Sequence, residues 1–182
     1  MSPLAPQHHC DESIAFVVRV YRELLAEHGA ENLFVMGDSA GGGLATALLQ
    51  QVETQPRGLL LNAPWLDGSA CDPSQAEIER NDIMLTRYAL RVWAKWWADG
   101  RDLQDPLVSP LFGDVSKLPR TLMFCGGADI LVADARRLAE AMGARMRYIE
   151  EPGLPHVYPL LSVFPETRTA WREMREFIQA PR

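Results

Sequence analysis

The sequence has few cysteines and no pattern of residues typical of a metal site. Its three cysteines, Cys10, Cys71 and Cys125, lie far apart among 182 residues and form no CxxC pair and no Cys/His pair at zinc-ligand spacing. We therefore expect reduced thiols in a cytoplasmic protein that uses no metal and no cofactor. The tract His8-His9-Cys10 contains metal-binding residue types, but no second pair of ligands accompanies it.

Long apolar stretches and clusters of basic charge are also missing. No segment approaches the roughly 18 apolar residues that a membrane-spanning helix needs, and residues 1–13 lack the basic region and apolar core of a secretory signal. The net charge is −6, with Lys and Arg scattered along the chain. These features predict no membrane span and argue against nucleic acid as a partner. The chain of 182 residues, 47% of them hydrophobic, is long enough to form a self-supporting core. We therefore expect one domain over residues 1–182.

Apolar runs alternate with amphipathic segments along the chain. Apolar runs at 32–36, 58–62, 121–125 and 146–149 predict four buried strands. Helical spacing predicts a first helix over about 14–28, capped by Asp11 or Ser13, and further helices over 44–52, 86–98, 132–142 and 166–178. The alternation breaks at about 64–119, which we interpret as an insertion. The pattern predicts an α/β fold with about four parallel strands flanked by helices.

The first glycine-rich turn contains a candidate nucleophile. Gly37-Asp38-Ser39-Ala40-Gly41 lies between a predicted strand and a predicted helix and matches the pattern G-x-S-x-G. In this pattern the serine occupies a strained turn that projects its hydroxyl above the sheet, and the next backbone N–H, here that of Ala40, faces a developing oxyanion. The pattern is also compatible with a glycine-rich turn that only connects the two elements or that binds phosphate.

A histidine and an aspartate follow two later strands. Of the four histidines, only His156 lies in a loop directly after a predicted strand, where the carboxyl edge of the sheet would present it. Asp129 follows the third predicted strand, whereas the nearby Asp134 falls inside the next helix and is better explained as structural. A nucleophilic serine needs a base and an acid that orients the base. The order Ser39, Asp129, His156 is the order that α/β hydrolases use.

Several further motifs resemble one family, the hormone-sensitive-lipase-like (bacterial family IV) esterases. Residues 37–42 (GDSAGG) resemble its elbow, and residues 4–8 (LAPQH) resemble the end of its YRLAPEH segment, with Gln7 in place of Glu. Residues 63–67, 105–111, 129–131 and 155–157 resemble its SPWxD, DP…SPL, acid and histidine segments. The resemblance implies that Ser39 is the nucleophile, His156 the base and Asp129 the orienting acid.

One motif of that family does not occur in this chain. Members carry the first strands of the sheet, a cap element and an HGGG motif in an N-terminal section, and the present sequence begins after the corresponding point and contains no HGG. The resemblance therefore implies an N-terminally truncated α/β-hydrolase fold. Without the HGGG motif, the Ala40 N–H is the oxyanion donor that the resemblance leaves in this sequence. Loss of one oxyanion donor can lower the rate of hydrolysis by about 10²–10³.

The same comparison makes the first strand, residues 33–36, an edge of the sheet. Apolar edge strands tend to pair with other strands. We therefore expect a homo-oligomer or a complementing N-terminal chain.

The helix over 86–98 contains Trp93, Trp96 and Trp97. We favour core packing for this aromatic stripe, and the alternative is that it lines an acyl pocket.

Three functions fit these residues. The first is hydrolysis of short- to medium-chain carboxylic esters through an acyl-enzyme on Ser39. The second is a catalytically weak or inactive remnant that acts as an interaction subunit. The third is an amidase or peptidase of the same fold, which the elbow does not distinguish from an esterase.

Overall fold

The computed structural model describes residues 4–181 and contains one parallel sheet. The ends of the predicted domain, residues 1–3 and 182, lie outside the described residues. Four strands, β1 (Phe34–Asp38), β2 (Gly58–Asn62), β3 (Thr121–Gly126) and β4 (Met146–Glu151), are ordered β1-β2-β3-β4. Asp38 pairs with Asn62, and Gly126 pairs with Glu151. All four strands therefore end at the same edge of the sheet.

Within residues 4–181 there are six α-helices: α1 (Cys10–His28), α2 (Ala40–Gln50), α3 (Gln75–Ile78), α4 (Arg87–Ala98), α5 (Val132–Met142) and α6 (Pro165–Gln179). Short 3₁₀ turns connect several of them. The α/β-hydrolase fold predicted from the sequence, with four parallel strands flanked by helices, is confirmed. None of the helices within residues 4–181 is long and apolar enough to cross a membrane.

The two faces of the sheet belong to separate apolar clusters, as the two-residue period of strands requires. Leu59 and Leu61 of β2 pack with buried side chains of α1, α2 and α5. Leu60, between them, faces the opposite side, where it joins Ala170 and Met174 of α6. Every residue of β2 and β3 is buried, and these two strands form the centre of the sheet.

The structure corrects several predicted boundaries. Helix α1 begins at Cys10 and follows His9, so neither Asp11 nor Ser13 is its N-cap. Helix α2 begins at Ala40, because the glycines that suggested a loop up to residue 43 form its first turn. Strand β1 begins and ends two residues later than predicted, and β4 extends to Glu151.

Candidate active site

Ser39 occupies the sharp turn between β1 and α2. Its backbone angles are φ 52° and ψ −121°, a strained conformation for a residue with a Cβ atom. The surrounding backbone holds it there: the Ser39 N–H donates to Asn62 O over 2.9 Å, and the Ser39 carbonyl accepts from Trp65 N over 2.9 Å. The loop that follows β2 therefore helps to fix the turn.

Gly37 is needed for this turn to close. A Cβ atom at position 37 would overlap the carbonyl oxygen of Gly41. The last residues of β1 and the first turn of α2 thus approach more closely than any side chain at position 37 would permit.

Ser39, His156 and Asp129 form one hydrogen-bonded chain. His156 Nε2 lies 2.9 Å from Ser39 Oγ, and His156 Nδ1 lies 2.7 Å from Asp129 Oδ2. Because an ionised carboxylate can only accept, the proton of a neutral imidazole must be on Nδ1, and Nε2 is then the acceptor for the Ser39 hydroxyl. This is the arrangement that a serine needs in order to lose its proton to a base.

The Asp129 carboxylate is fully buried and has several donors. Oδ1 accepts from Leu131 N over 2.9 Å, and Oδ2 lies 3.7 Å from the Cys125 thiol sulfur as well as near His156. Burial, followed by the charge of Asp129, raises the pKa of the Cys125 thiol. Cys125 therefore stays protonated and acts as a weak donor to Asp129.

Two loops that follow β3 and β4 hold Asp129 and His156 together. Ala128 N donates to Leu154 O over 3.0 Å, and Gly127 N donates to Glu151 O over 2.8 Å. Gly126 makes the approach possible, since a Cβ atom there would overlap Leu154 O and lie 2.5 Å from Pro155 O. The acid and the histidine are thus presented by loops that are bonded to each other.

Asp134 lies on α5 and takes part in a separate buried cluster. Its carboxylate accepts from Asp67 N over 3.2 Å and from Gln75 Nε2 over 3.4 Å. Burial and the nearby Asp67 carboxylate raise the pKa of Asp134 well above its usual value. The contacts of Asp134 are those of a structural residue, in agreement with the sequence-based interpretation.

A cavity of about 380 Å³ opens beside the turn of Ser39. Its walls come from the N-terminal segment, α2, α4 and the loops that follow β2 and α4, and they are mainly apolar. The lining residues are Leu4, Ala5, Ala40, Gly41, Gly43, Leu44, Ala47, Trp65, Trp93, Ala94, Trp97, Leu107, Val108 and Pro110. Ala40 directly follows Ser39, so the cavity lies next to the turn that carries the candidate nucleophile.

The favoured interpretation of the three tryptophans as a core stripe holds only for Trp97, which is partly buried and packs against the main apolar cluster, and is wrong for Trp93 and Trp96. The buried positions of α4 are Leu90, Ala94 and Ala98, since the small alanines allow the helix to pack closely on its neighbours. Trp93 and Trp97 both line the cavity, which is the alternative considered from the sequence. Trp96, 47% exposed, lies outside it.

The His8-His9-Cys10 tract makes contacts within the protein. His8 Nδ1 lies 2.7 Å from Glu12 Oε2, and His9 Nδ1 donates to Trp96 O over 2.9 Å. Cys10 is fully buried. Across residues 4–181 there is no group of three or more His, Cys, Asp or Glu side chains placed to hold a metal ion.

Comparison with known proteins identifies the family. Residues 3–160 match the family model described as alpha/beta hydrolase fold. The chain belongs to the α/β-hydrolase family. This α/β hydrolase is 34% identical to an esterase of Acinetobacter venetianus over 96% of the chain, and 33% identical to an acetyl-hydrolase of Streptomyces hygroscopicus over 91%. A hormone-sensitive lipase from a metagenome library superposes with a TM-score of 0.92 at 29% identity, over 98% of the chain.

These relatives confirm the hormone-sensitive-lipase-like group that the motifs of the sequence indicated. The α/β hydrolase spans 61% of the length of the Acinetobacter esterase, 58% of the Streptomyces enzyme and 65% of the metagenomic lipase.

Sequence reasoning missed part of the surroundings of Ser39 in this α/β hydrolase. It did not predict that Trp65 both supports the turn of Ser39 and lines the cavity. It also missed Asp82, whose carboxylate contacts the backbone beside Asp129. The motif that contains Trp65 could have indicated its place near Ser39. Asp82 lies in a polar stretch, residues 79–82, whose composition is typical of a solvated loop.

Proposed function

We propose that the chain is a carboxylic-ester hydrolase that acts on short- to medium-chain acyl esters. The hydrogen-bonded chain from Ser39 through His156 to Asp129 carries this proposal. The names of its relatives, esterase and acetyl-hydrolase, support the same reaction class.

In the proposed reaction Ser39 Oγ attacks the ester carbonyl carbon while His156 Nε2 takes the hydroxyl proton. The tetrahedral intermediate collapses, the C–O bond to the alcohol breaks, and the imidazolium returns the proton to the departing alkoxide. Water then attacks the acyl-enzyme with His156 again as base, which releases the acid and restores Ser39. Asp129 orients the ring and stabilises its charged form.

The oxyanion donor in this proposal is the backbone N–H of Ala40. Ala40 is the first residue of α2. Whereas the N–H groups of Gly42 and Gly43 donate to Ser39 O, an N–H group at the start of a helix has no acceptor within the helix. Such an N–H adds the positive end of the helix dipole to its own donor capacity.

The cavity is proposed as the site of the acyl chain. Its volume of about 380 Å³ lies within the range of small-molecule sites, roughly 300–1,000 Å³, and its apolar walls suit a hydrocarbon chain.

A series of p-nitrophenyl esters with acyl chains of two to about ten carbons tests the function, beside a fluorophosphonate probe that labels active serines. We expect turnover and labelling by the wild type and neither by Ser39→Ala. Trp93→Ala should lower kcat/KM for the octanoate by about tenfold and leave the acetate nearly unchanged, because Trp93 lines the cavity proposed for the acyl chain and an acetyl group would fill little of it.

Trp96→Ala is the matched control, since Trp96 lies on the same helix outside the cavity. Equal effects of the two tryptophan variants would contradict the placement of the acyl chain. A wild type that neither turns over nor labels would instead favour the non-catalytic interaction subunit.

We further propose that β1 pairs with a strand outside the described chain, from a second copy or from a complementing segment. Met36 on this edge is 47% exposed, whereas β2 and β3 are buried throughout. The mass of the particle in solution, measured at increasing protein concentration, tests this proposal. A mass that stays at 20.4 kDa, with no complementing segment bound, would contradict it.

A cytoplasmic location is proposed as well. It is supported by Cys10, Cys71 and Cys125, all of which are free thiols. Thiol titration of protein isolated from cells tests it, and oxidised cysteines would count against it.

A further inference from the structure

Asp82 lies between α3 and α4, and its carboxylate joins this segment to the loop that contains Asp129. Oδ2 accepts from Ile130 N over 2.7 Å. Oδ1 accepts from Met84 N over 2.8 Å and from Leu85 N over 2.9 Å. One side chain thus binds its own turn and the residue that directly follows Asp129.

Two segments outside the Asp129 loop, the loop that follows β4 and the segment of Asp82, hold its backbone. The N–H groups of Asp129, Leu131 and Val132 find acceptors within the loop, on Gly126 or on Asp129. On one side of Asp129, the N–H groups of Gly127 and Ala128 donate to Glu151 O at the end of β4 and to Leu154 O of the loop that follows it. On the other side, the N–H group of Ile130 donates to the Asp82 carboxylate. Asp129 is therefore held between two external anchors, one on each side.

Apolar packing reinforces the second anchor. Leu90 of α4 forms a buried cluster with Ile130 and Leu131, and Leu85 and Trp65 pack against it. The segment that carries Leu85 and Leu90 continues to Trp93 in the cavity wall. The wall and the Asp129 loop are in direct contact through these residues.

We propose that Asp82 is a positioning residue that fixes the backbone at Ile130 and so keeps Asp129 Oδ2 on His156 Nδ1. The proposal rests on the proposed ester hydrolysis for its kinetic consequence. Asp82 touches neither the ring nor the hydroxyl. It acts through the main chain, because its carboxylate accepts from Ile130 N. A charged acceptor of this kind forms a stronger hydrogen bond than a neutral one.

Asp82→Asn tests this role with little change of shape. An amide keeps one acceptor and turns its other arm into a donor, so it cannot serve both Ile130 N and the pair at residues 84 and 85. We expect kcat to fall by about 10–100-fold with KM within about twofold, because a small misplacement of the acid misorients the base. Asp82→Glu, which keeps a carboxylate beside Ile130 N, should recover most of the lost kcat.

Thr86→Ala is the matched control for simple support of α4. The Thr86 hydroxyl caps that helix by accepting from Ala89 N over 3.1 Å, and it makes no bond to the Asp129 loop. We expect Thr86→Ala to lower the melting temperature while leaving kcat near the wild-type value. If both variants lose stability and neither loses kcat, Asp82 is merely structural and the proposal fails.

A second readout does not depend on turnover. The proton that His156 Nδ1 donates to Asp129 should give a strongly downfield ¹H NMR resonance that disappears in His156→Ala. We expect this resonance to shift or broaden in Asp82→Asn and to be unchanged in Thr86→Ala. A wild type without esterase activity that shows these changes would refute the proposed function while supporting the positioning role. An unchanged resonance in folded Asp82→Asn would overturn the role itself.

Discussion

Asp129→Asn is expected to lower kcat for ester hydrolysis by about 10⁴-fold without unfolding the protein. The amide presents a donor where the carboxylate accepted the Nδ1 proton over 2.7 Å. The ring must then move that proton to Nε2 or turn away, and Ser39 loses its base. Steady-state kinetics with a p-nitrophenyl ester, together with the rate of fluorophosphonate labelling, measures the loss against a Ser39→Ala blank.

Asp134→Asn provides the control for that result. Because burial and the charge of Asp67 raise the pKa of Asp134, its carboxyl group tends towards the neutral form, which an amide imitates in size. We expect its kcat to stay within about threefold of the wild type, since its contacts are to Asp67 and Gln75 and none is to the ring. Equal losses in the two variants would remove the distinction between the acid and its structural neighbour.

Gly126→Ala is expected to damage stability and activity together. The added methyl group would overlap Leu154 O and crowd Pro155 O, so the loops that follow β3 and β4 must separate. Overpacking of this kind costs about 1–3 kcal/mol, or roughly 2–12 °C in melting temperature for a domain of this size. Since Asp129 and His156 lie in those two loops, kcat should fall by about 10²-fold or more.

Gly127→Ala separates this effect from a general intolerance of alanine in the turn. A methyl group at position 127 meets its nearest atoms, Gly153 N and Pro152 Cα, at 3.2 Å, where a small adjustment suffices. Its melting temperature should lie between those of the wild type and Gly126→Ala. Thermal unfolding followed by circular dichroism ranks the three proteins, and the reverse order of the two variants would refute the loop-contact argument.

The strands and the order of the candidate residues were predictable from local pattern. The apolar runs around Val35, Leu60 and Phe124 have no helical alternative of sufficient length, and residues that follow parallel strands must meet at one edge of the sheet. Ser39, Asp129 and His156 were therefore assigned from the G-x-S-x-G pattern, from their positions after strands and from the resemblance to the esterase family. The hydrogen bonds that join them still required the loops to be placed in three dimensions.

The cavity and the start of α2 were not predictable in the same way. Glycines at 41–43 have low helix propensity, and their helical form depends on close contacts with residues distant in sequence, such as Pro64 and Trp65. The role of Trp93 depended equally on long-range packing. An aromatic stripe on a helix has the same sequence signature whether a core or an empty site faces it.

The central position of β2 and β3 has a consequence for how such a protein can diversify. Side chains that contact substrate in the proposed cavity come mainly from segments outside the sheet, including the long connection between β2 and β3. Mutations there can alter which acyl groups fit while β3 and β4, whose following loops carry Asp129 and His156, keep their register. The contact of Asp82 with Ile130 limits this freedom, since a change that displaces the connection at that point also displaces the acid. Most residues of the connection can therefore change and alter the range of substrates. We expect selection against substitutions to be strongest where the connection contacts the Asp129 loop.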